Sequence, residues 1–411
     1  MNEPSTIPGI GFLNYTWPEL KLRVMARGYN AKGHAELLFF SGNGTDEVLL
    51  DQNDINLLSA SSKHSQVKEL ERLRDDVPWA DALTWVTHLT IETARQGEPV
   101  QKIWASEEDT LTPNYLLEPI LYLSHPTVIF GDYGSLKSLF ALIIGYVAQL
   151  PYSDNKLGLI TPKESTICLY LDYEDDPSNF RRRWSAIEKG FGIKAPMPII
   201  YRRMATPLAD SVESLQQIIA EEKVKLLIVD SLGPAARGNL NDPEPAIKYH
   251  EALRKLRTIK KVGITSLTLA HCSKDQLTKR RTIFGSVFFT NLARSVWECK
   301  AQQEVGENEA IISVKHTKAN LSRLHPPLGY KFIFTDNSIA ITKADLKDTG
   351  LSGELPLSAR IKDLLRDSSM KVKDMAEVLD ANEGSIKTIV NRLGKKGITV
   401  KVGESWGLKA L

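Results

Sequence analysis

One short segment, TVIFGDYGSLKSLFALIIGYVAQL, combines the residue types that together bind a polyphosphate. Glycines let backbone N–H groups wrap phosphate oxygens, and the positive end of a helix dipole favours an anion. A lysine can reach the outer phosphates, and a serine hydroxyl can bind magnesium. The segment therefore predicts a phosphate-binding loop, which consists of Gly131, Asp132, Tyr133, Gly134, Ser135, Leu136, Lys137 and Ser138.

This loop departs from the usual pattern GxxxxGK[ST] at one position. Leu136 stands where a glycine normally precedes the lysine. Taken alone, the loop is also compatible with an ordinary strand–turn–helix that carries a chance lysine. Other elements must decide between the two interpretations.

Two apolar runs further along the chain end in carboxylates. KLLIVD ends in Asp230, which could hold magnesium together with Ser138, and TICLYLDYEDD ends in an acidic turn that contains Glu174. A carboxylate at a strand end can polarise the water that attacks a γ-phosphate. Each run alone could be a common strand or a helix-capping turn. Because all three elements occur in order, each at a strand end, the sequence predicts a domain that hydrolyses ATP with Mg²⁺.

The runs that carry these residues alternate with helical stretches. From residue 127 the β-rich runs are TVIF, TICLYLDYE, KLLIVD, GITSLTLAH and AIISVKHTK. Such alternation predicts an α/β fold with a mainly parallel sheet that is covered on both faces. We expect the ATPase domain at 116–343. Residues 1–115 contain β-type runs and charged segments with a helical pattern, which predicts a small α+β domain. We find no candidate catalytic or binding residues in it.

The C-terminal part has a different pattern. A Gly- and acid-containing stretch predicts a linker at 344–356, and 357–411 contain three short helical units and a hairpin, the plan of a winged helix-turn-helix. This segment contains eleven Lys and Arg and seven Asp and Glu, which gives a local charge of +4. The unit could bind duplex DNA or dock a protein, and the sequence leaves both open. The residues predicted to contact DNA are Lys387, Arg392, Lys395 and Lys396.

Composition excludes several other classes of protein. Fifty-two Lys and Arg against fifty Asp and Glu give a net charge of +2, so bulk charge alone would not bind nucleic acid. Three cysteines without CxxC spacing argue against a disulfide framework and a structural zinc site. No signal-peptide pattern and no apolar run of about 18 residues is found. We expect a cytoplasmic protein that does not associate with membranes.

Four further motifs are EDDPSNFRRRW, LTLAHCSK, FGSVFFTNLARSVWE and HTKANLSRLHPP. With the loop and the two acids, they make residues 125–335 resemble the RepA-type hexameric replicative helicases and the wider RepA-like AAA ATPases with a RecA core, found in plasmids, phages and other mobile elements. The resemblance implies that Glu174 is the catalytic base and that Arg183 lies on the active-site side.

The same resemblance implies roles for four residues further along the chain. His271 would lie beside the γ-phosphate as a sensor, and Arg294 would complete the nucleotide site of a neighbouring subunit. Lys318 and Asn320 would lie at the subunit interface, near the bound nucleotide. From the residues alone, His271 would be a structural residue at a strand end and Arg294 a surface arginine.

A basic stretch, SKDQLTKRRTIFGS, lies between the sensor motif and the arginine motif. It could enter a central channel and hold the phosphates of single-stranded DNA. The alternative is an exposed, solvated loop. The residues predicted to contact DNA in this stretch are Lys274, Lys279, Arg280 and Arg281.

Together with these features, the resemblance implies an ATP-dependent DNA helicase of a mobile element that forms a hexameric ring around single-stranded DNA. The first alternative is a non-translocating RecA-fold ATPase that acts as a replication loader, recombination mediator or DNA-binding regulator. The second is a scaffold that binds ATP but scarcely hydrolyses it, because Leu136 distorts the loop.

Overall fold

The computed structural model describes residues 1–9, 12–30, 32–42, 46–96, 102, 104, 112–150, 154–192, 197–257, 263–273 and 281–409. The chain divides into two compact units. The first comprises Met1–Asp109 and Asp210–Glu221, and the second comprises Thr110–Ala209 and Glu222–Leu411. No helix within the described ranges is long and apolar enough to cross a bilayer.

The chain alternates between strands and helices in its middle part, whereas strands follow one another directly near the N-terminus and from residue 295 to residue 343. The strands are β1 (Ser5–Pro8), β2 (Phe12–Trp17), β3 (Leu22–Arg27), β4 (His34–Ser41), β5 (Val48–Asn56), β6 (Tyr115–Leu117), β7 (Leu121–Tyr122), β8 (Pro126–Gly131), β9 (Cys168–Asp172), β10 (Ile200–Arg203), β11 (Leu226–Asp230), β12 (Thr265–His271), β13 (Ser295–Gln302), β14 (Glu309–Ala319), β15 (Leu328–Phe334), β16 (Ile339–Lys343), β17 (Thr399–Val402) and β18 (Ser405–Leu408). The helices are α1 (Ala60–Leu73), α2 (Trp79–Gln96), α3 (Lys137–Gln149), α4 (Pro177–Phe191), α5 (Val212–Glu221), α6 (Leu232–Ala236), α7 (Pro243–Arg257), α8 (Val287–Leu292), α9 (Leu357–Asp367), α10 (Val372–Val378) and α11 (Glu383–Lys395).

The first unit is built on an antiparallel sheet whose five strands, β1 to β5, lie in chain order. Burial alternates along β3 because successive side chains point to opposite faces of the sheet. Trp17, Phe39 and Trp79 are among the largest side chains of its core. The unit also includes Asp210–Glu221, a segment that lies inside the range predicted for the ATPase domain. Here the structure divides the chain differently from the predicted boundaries.

The second unit contains a nine-stranded sheet in the order β10-β9-β11-β12-β8-β13-β14-β15-β16. The six strands from β10 to β13 are parallel to their neighbours. Every residue of β9 and β11 is buried, as expected for parallel strands covered on both faces. All of α3 except Ser138 is buried, which explains why this helix is apolar all round. The predicted α/β, RecA-like core is thus present.

The other side of the sheet is antiparallel. β14 pairs with β13, β15 with β14 and β16 with β15, each in antiparallel orientation. The run AIISVKHTK lies in β14 and therefore does not continue the strand–helix alternation in which the sequence placed it. A short connection from β13 to β14 permits a hairpin, whereas a parallel pair needs a crossover of a dozen or more residues.

The C-terminal segment contains the three helices α9, α10 and α11 followed by the hairpin β17–β18. Its buried side chains, among them Ile361, Met375, Ile386 and Val390, form a cluster of their own. The Asn382 side chain accepts hydrogen bonds from two backbone N–H groups and so caps the start of α11. These elements follow the order that the winged-helix prediction requires.

The predicted linker at 344–356 is held against the sheet. It contains a short 3₁₀ helix, Ser352–Glu354. The Glu354 carboxylate accepts hydrogen bonds from Lys300 of β13 at 2.5 Å and from Lys315 of β14 at 3.3 Å. Glu354, one of the acids on which the linker prediction was based, is thus bound by two lysines of the sheet.

We expect Glu354→Gln to lower the free energy of unfolding by about 1–3 kcal/mol at pH 7, because the two lysines lose a charged acceptor. Burial raises the pKa of the Glu354 carboxyl, but Lys300 and Lys315 outweigh burial and hold this pKa below its usual range. The stabilisation is therefore present above the unfolded-state pKa of about 4.3 and is lost as the pH falls through the folded-state pKa.

Denaturant unfolding at pH 7 and near pH 3 measures this effect. The difference between wild type and Glu354→Gln should shrink at the lower pH. Glu307→Gln, at an exposed position in the turn between β13 and β14, is the matched control and should change little at either pH. An equal difference in unfolding free energy at both pH values would contradict a stabilising role of the charged Glu354 carboxylate.

Candidate active site

The phosphate loop joins the buried strand β8 to the buried helix α3, as predicted. Gly134 has φ +74°, and a Cβ added there would meet nothing within 4 Å, so the loop faces open space at this point. A Cβ added at Gly131 would lie 2.3 Å from the carbonyl oxygen of Cys299 on β13. One glycine thus provides a left-handed backbone, and the other allows close packing of two strands.

Leu136 adopts a left-handed backbone, with φ 58° and ψ 18°, directly before the first residue of α3. Its partly buried side chain packs against the core of the second unit. A left-handed backbone costs a residue with a Cβ about 1–2 kcal/mol. The loop therefore reaches α3 with leucine at the usual glycine position, and core packing of the side chain offsets part of the strain.

We expect Leu136→Gly to be more stable than Leu136→Ala by about 1 kcal/mol, because both variants lose the side chain and only alanine retains the Cβ. Denaturant unfolding measures this order. Lys68→Gly and Lys68→Ala, on the exposed face of α1, form the control pair and should show the opposite order. An alanine variant as stable as the glycine variant at 136 would show that the backbone is not strained.

Lys137, His271 and Glu174 form a continuous row at the loop. The buried Lys137 Nζ donates to the carbonyl oxygen of Asp132 at 3.4 Å and lies 3.5 Å from His271 Nδ1. His271 Nε2 lies 3.6 Å from Glu174 Oε1. His271 ends β12, which lies between β8 and β11 in the sheet. The structure thus brings the predicted lysine, sensor and base together across three strand ends.

Asp230 lies at the end of β11 and is buried. Its Oδ2 accepts a hydrogen bond from Tyr170 at 2.6 Å, whereas Oδ1 is buried and accepts none from the described residues. Burial raises the pKa of Asp230, and the nearby hydroxyls of Tyr170 and Ser138 only partly offset this rise. A buried carboxylate oxygen without a donor suits a cation. Ser138 and Asp230 therefore fit a magnesium ion.

The three acids of the turn after β9 have separate roles. Glu174 accepts a hydrogen bond from the Ser231 hydroxyl and faces the loop residues described above. Asp175 forms an ion pair with Arg183 at 2.5 Å. Asp176 accepts two backbone N–H groups of α4 and caps that helix. The capping alternative thus applies to Asp176, and Arg183 lies beside this turn as the partner of Asp175.

The sequence interpretation missed a buried acid that orients the turn. The Asp172 carboxylate accepts the backbone N–H groups of Glu174 and Asp175, both at 2.9 Å. It also accepts a hydrogen bond from the Tyr201 hydroxyl at 3.2 Å. The sequence contained a signal for this residue, because Asp172 is the last residue of an apolar run. The three acids that follow it were instead taken as the candidates.

Asp132 of the phosphate loop is bound through both carboxylate oxygens. Arg281 forms an ion pair with Oδ2, and the Cys272 thiol donates to Oδ1 at 2.8 Å. The structure therefore places Arg281, predicted to contact DNA, at the phosphate loop. The other predicted DNA contacts of this stretch lie outside the described residues, namely Lys274, Lys279 and Arg280.

Arg294 lies at the other end of the strands. Its backbone N–H donates to the carbonyl of Pro126, which begins β8, whereas Gly131 and the phosphate loop end that strand. The five intervening steps span about 16 Å. The residue occupies the connection between α8 and β13. Arg294 therefore lies too far from its own loop to act there.

Lys318 and Asn320 lie beside Arg294. Lys318 Nζ donates to the carbonyl oxygens of Ala293 at 2.5 Å and Asn291 at 3.1 Å. The backbone N–H of Asn320 donates to the carbonyl of Arg294 at 3.0 Å. Burial and the charge of Arg294 lower the pKa of Lys318. The three residues thus form one group at the edge opposite the phosphate loop.

The predicted DNA-contacting residues of the C-terminal segment lie on one exposed helix and the residue after it. α11 buries Ile386, Val390 and Leu393 and leaves its other faces in solvent. No acidic residue forms an ion pair with these basic residues within the described part of the chain. The exposed basic residues are Lys387, Arg392, Lys395 and Lys396.

Comparison with known proteins bears on the region that contains this site. Residues 93–277, somewhat less than half of the chain, match the family model of an AAA domain. Among solved structures, a KaiC-like protein from the archaeon Pyrococcus horikoshii OT3 is similar, with 18% identity over 55% of this chain and 93% of that chain and a TM-score of 0.35. Among curated proteins, none matches the chain.

Proposed function

We propose that the protein, whose residues 93–277 match the model of an AAA domain, is an ATP-dependent DNA helicase of a mobile genetic element. It works as a ring of identical subunits, with six subunits as the expected number. The observation that carries the proposal is the position of His271, which contacts Lys137 and Glu174 and lies two residues before the basic stretch predicted to hold DNA.

The loop and its neighbours would hold Mg-ATP. Lys137 and the backbone N–H groups of the loop would bind the phosphates, and Ser138 and Asp230 would hold the magnesium ion. That ion would supply positive charge against the phosphate oxygens. Glu174 would accept a proton from the attacking water, and Ser231 orients its carboxylate.

Backbone hydrogen bonds join the two sides of the basic stretch to each other and to the sensor. Ser273 N–H donates to the Thr282 carbonyl at 2.8 Å, and Phe284 N–H donates to the His271 carbonyl at 2.9 Å. These bonds tie both ends of the stretch to the end of β12. A displacement of His271 after hydrolysis would therefore move both ends together. This supports coupling between ATP hydrolysis and single-stranded DNA held by Lys274, Lys279 and Arg280.

The ring is supported by Arg294 and Lys318. Both are cationic, and among the described residues neither has an ion-pair partner. Because Arg294 lies at the strand end opposite its own phosphate loop, any nucleotide that it contacts belongs to another subunit. Duplex DNA ahead of the ring would contact the exposed face of α11.

Strand separation tests the proposal. A forked DNA duplex with one labelled strand would be incubated with Mg-ATP and either wild type or Lys137→Ala. We expect strand release by the wild type and none by the variant. ATP turnover without strand release would contradict the helicase and favour a loader, recombination mediator or regulator.

A further inference from the structure

An acid within a phosphate-binding loop is electrostatically unfavourable, because its negative charge lies close to bound phosphates. Asp132 occupies such a position, directly after Gly131. The carboxylate is only partly exposed and is bound on both oxygens, by the Arg281 guanidinium and the Cys272 thiol. The cost of this acid is therefore offset by residues that follow β12.

We infer that Arg281 is a positioning residue of the nucleotide site that neutralises Asp132, not a contact to DNA. The inference rests on the proposed function, because the ligand of the loop is taken to be a magnesium-bound nucleotide. Arg281 acts through Asp132, since its guanidinium pairs with that carboxylate.

The backbone of Asp132 explains why its position matters. Its carbonyl oxygen accepts hydrogen bonds from Lys137 Nζ at 3.4 Å and from the N–H of Ser135 at 3.2 Å. A side chain held from two directions keeps this carbonyl, and with it the lysine, in place. Removing Arg281 would expose the carboxylate charge to the phosphates, while the Cys272 thiol would still hold the side chain.

Cys272 supplies the second anchor as a neutral donor. Burial and the neighbouring Asp132 raise the pKa of the Cys272 thiol to about 11. The thiol therefore remains protonated at neutral pH and can donate to Asp132 without adding charge. Among the described residues, Arg281 is the cation that forms an ion pair with Asp132, so its removal takes away the positive charge bound to this carboxylate.

Three variants separate this role from a direct contact with phosphate. Arg281→Ala should weaken Mg-ADP binding about tenfold, which corresponds to about 1.4 kcal/mol. Asp132→Asn should change the affinity less than about threefold. The double variant should return to within about threefold of the wild type, because the repulsive charge is then gone. In steady-state hydrolysis, Arg281→Ala should raise KM for ATP and leave kcat within about threefold.

Isothermal titration calorimetry with Mg-ADP measures the affinities. Arg366→Ala removes an arginine of α9 that pairs with Asp363 and is the matched control, with unchanged affinity expected. Unchanged affinity in Arg281→Ala, or a double variant as weak as Arg281→Ala, would overturn the inference while wild-type binding preserves the proposed function. A wild type that does not bind Mg-ADP would overturn both. Recovery in the double variant also shows that the loss in Arg281→Ala is not misfolding.

Discussion

Glu174→Gln is expected to lower kcat for ATP hydrolysis by about 10²–10⁴-fold, the usual contribution of a general base. Glutamine has nearly the same shape and still accepts the hydrogen bond from Ser231, but its amide does not take a proton from water. The affinity for Mg-ATP should change by less than about threefold, because the phosphates bind to the loop between β8 and α3. Single-turnover hydrolysis and equilibrium binding measure the two effects.

Asp175→Asn is the matched control for this substitution. Asp175 is the next residue along the chain, and its carboxylate pairs with Arg183. We expect it to retain most of the turnover. A Glu174→Gln variant with wild-type turnover would contradict the assignment of the base and favour a nucleotide-dependent scaffold. An equal loss in both variants would show that the turn as a whole, not one carboxylate, matters.

Arg294→Ala is expected to lower kcat by about 10³-fold or more, the usual contribution of an arginine supplied to a neighbouring site. Lys137→Ala should also be inactive, since it lacks the loop lysine. A mixture of the two variants should nevertheless recover activity. Some interfaces in mixed rings combine an intact Lys137 from one subunit with an intact Arg294 from the next.

Random mixing in equal amounts makes about a quarter of the interfaces complete, so turnover should approach that share of wild type if interfaces act independently. Steady-state turnover measured after co-refolding or prolonged mixing tests this. Mixing Lys137→Ala with the double variant Lys137→Ala/Arg294→Ala provides no complete interface and should stay inactive. If the first mixture also stayed inactive, the action of Arg294 on a neighbouring subunit would be contradicted.

The sequence predicted most of what lies at the strand ends. Lys137, Asp230 and Glu174 follow or precede apolar runs that are recognisable as buried parallel strands, and parallel strands bring their carboxyl ends to one edge. The relation between a run and its last polar residue is local. Local patterns therefore sufficed to place the phosphate loop and the acids near one another, whereas the position of His271 beside them was implied by the family resemblance.

Contacts between segments that are far apart in the sequence could not be predicted from local patterns. Asp132 and Arg281 are 149 residues apart, and nothing local marks Arg281 as different from the basic residues before it. Glu354 and its two lysines are separated by 39 and 54 residues. The left-handed backbone of Leu136 depends on packing against the core, which overrides the preference for glycine.

The most direct measurement is Mg-dependent phosphate release from ATP by wild type, Lys137→Ala and Lys248→Ala. Lys248 is an exposed lysine of α7 that pairs with Glu244, and it serves as the control for removal of a lysine. We expect ATP turnover by the wild type and by Lys248→Ala. In Lys137→Ala, the turnover rate should be lower by about 10²-fold or more. Equal turnover by all three proteins, or none by the wild type, would contradict an ATPase site at this loop.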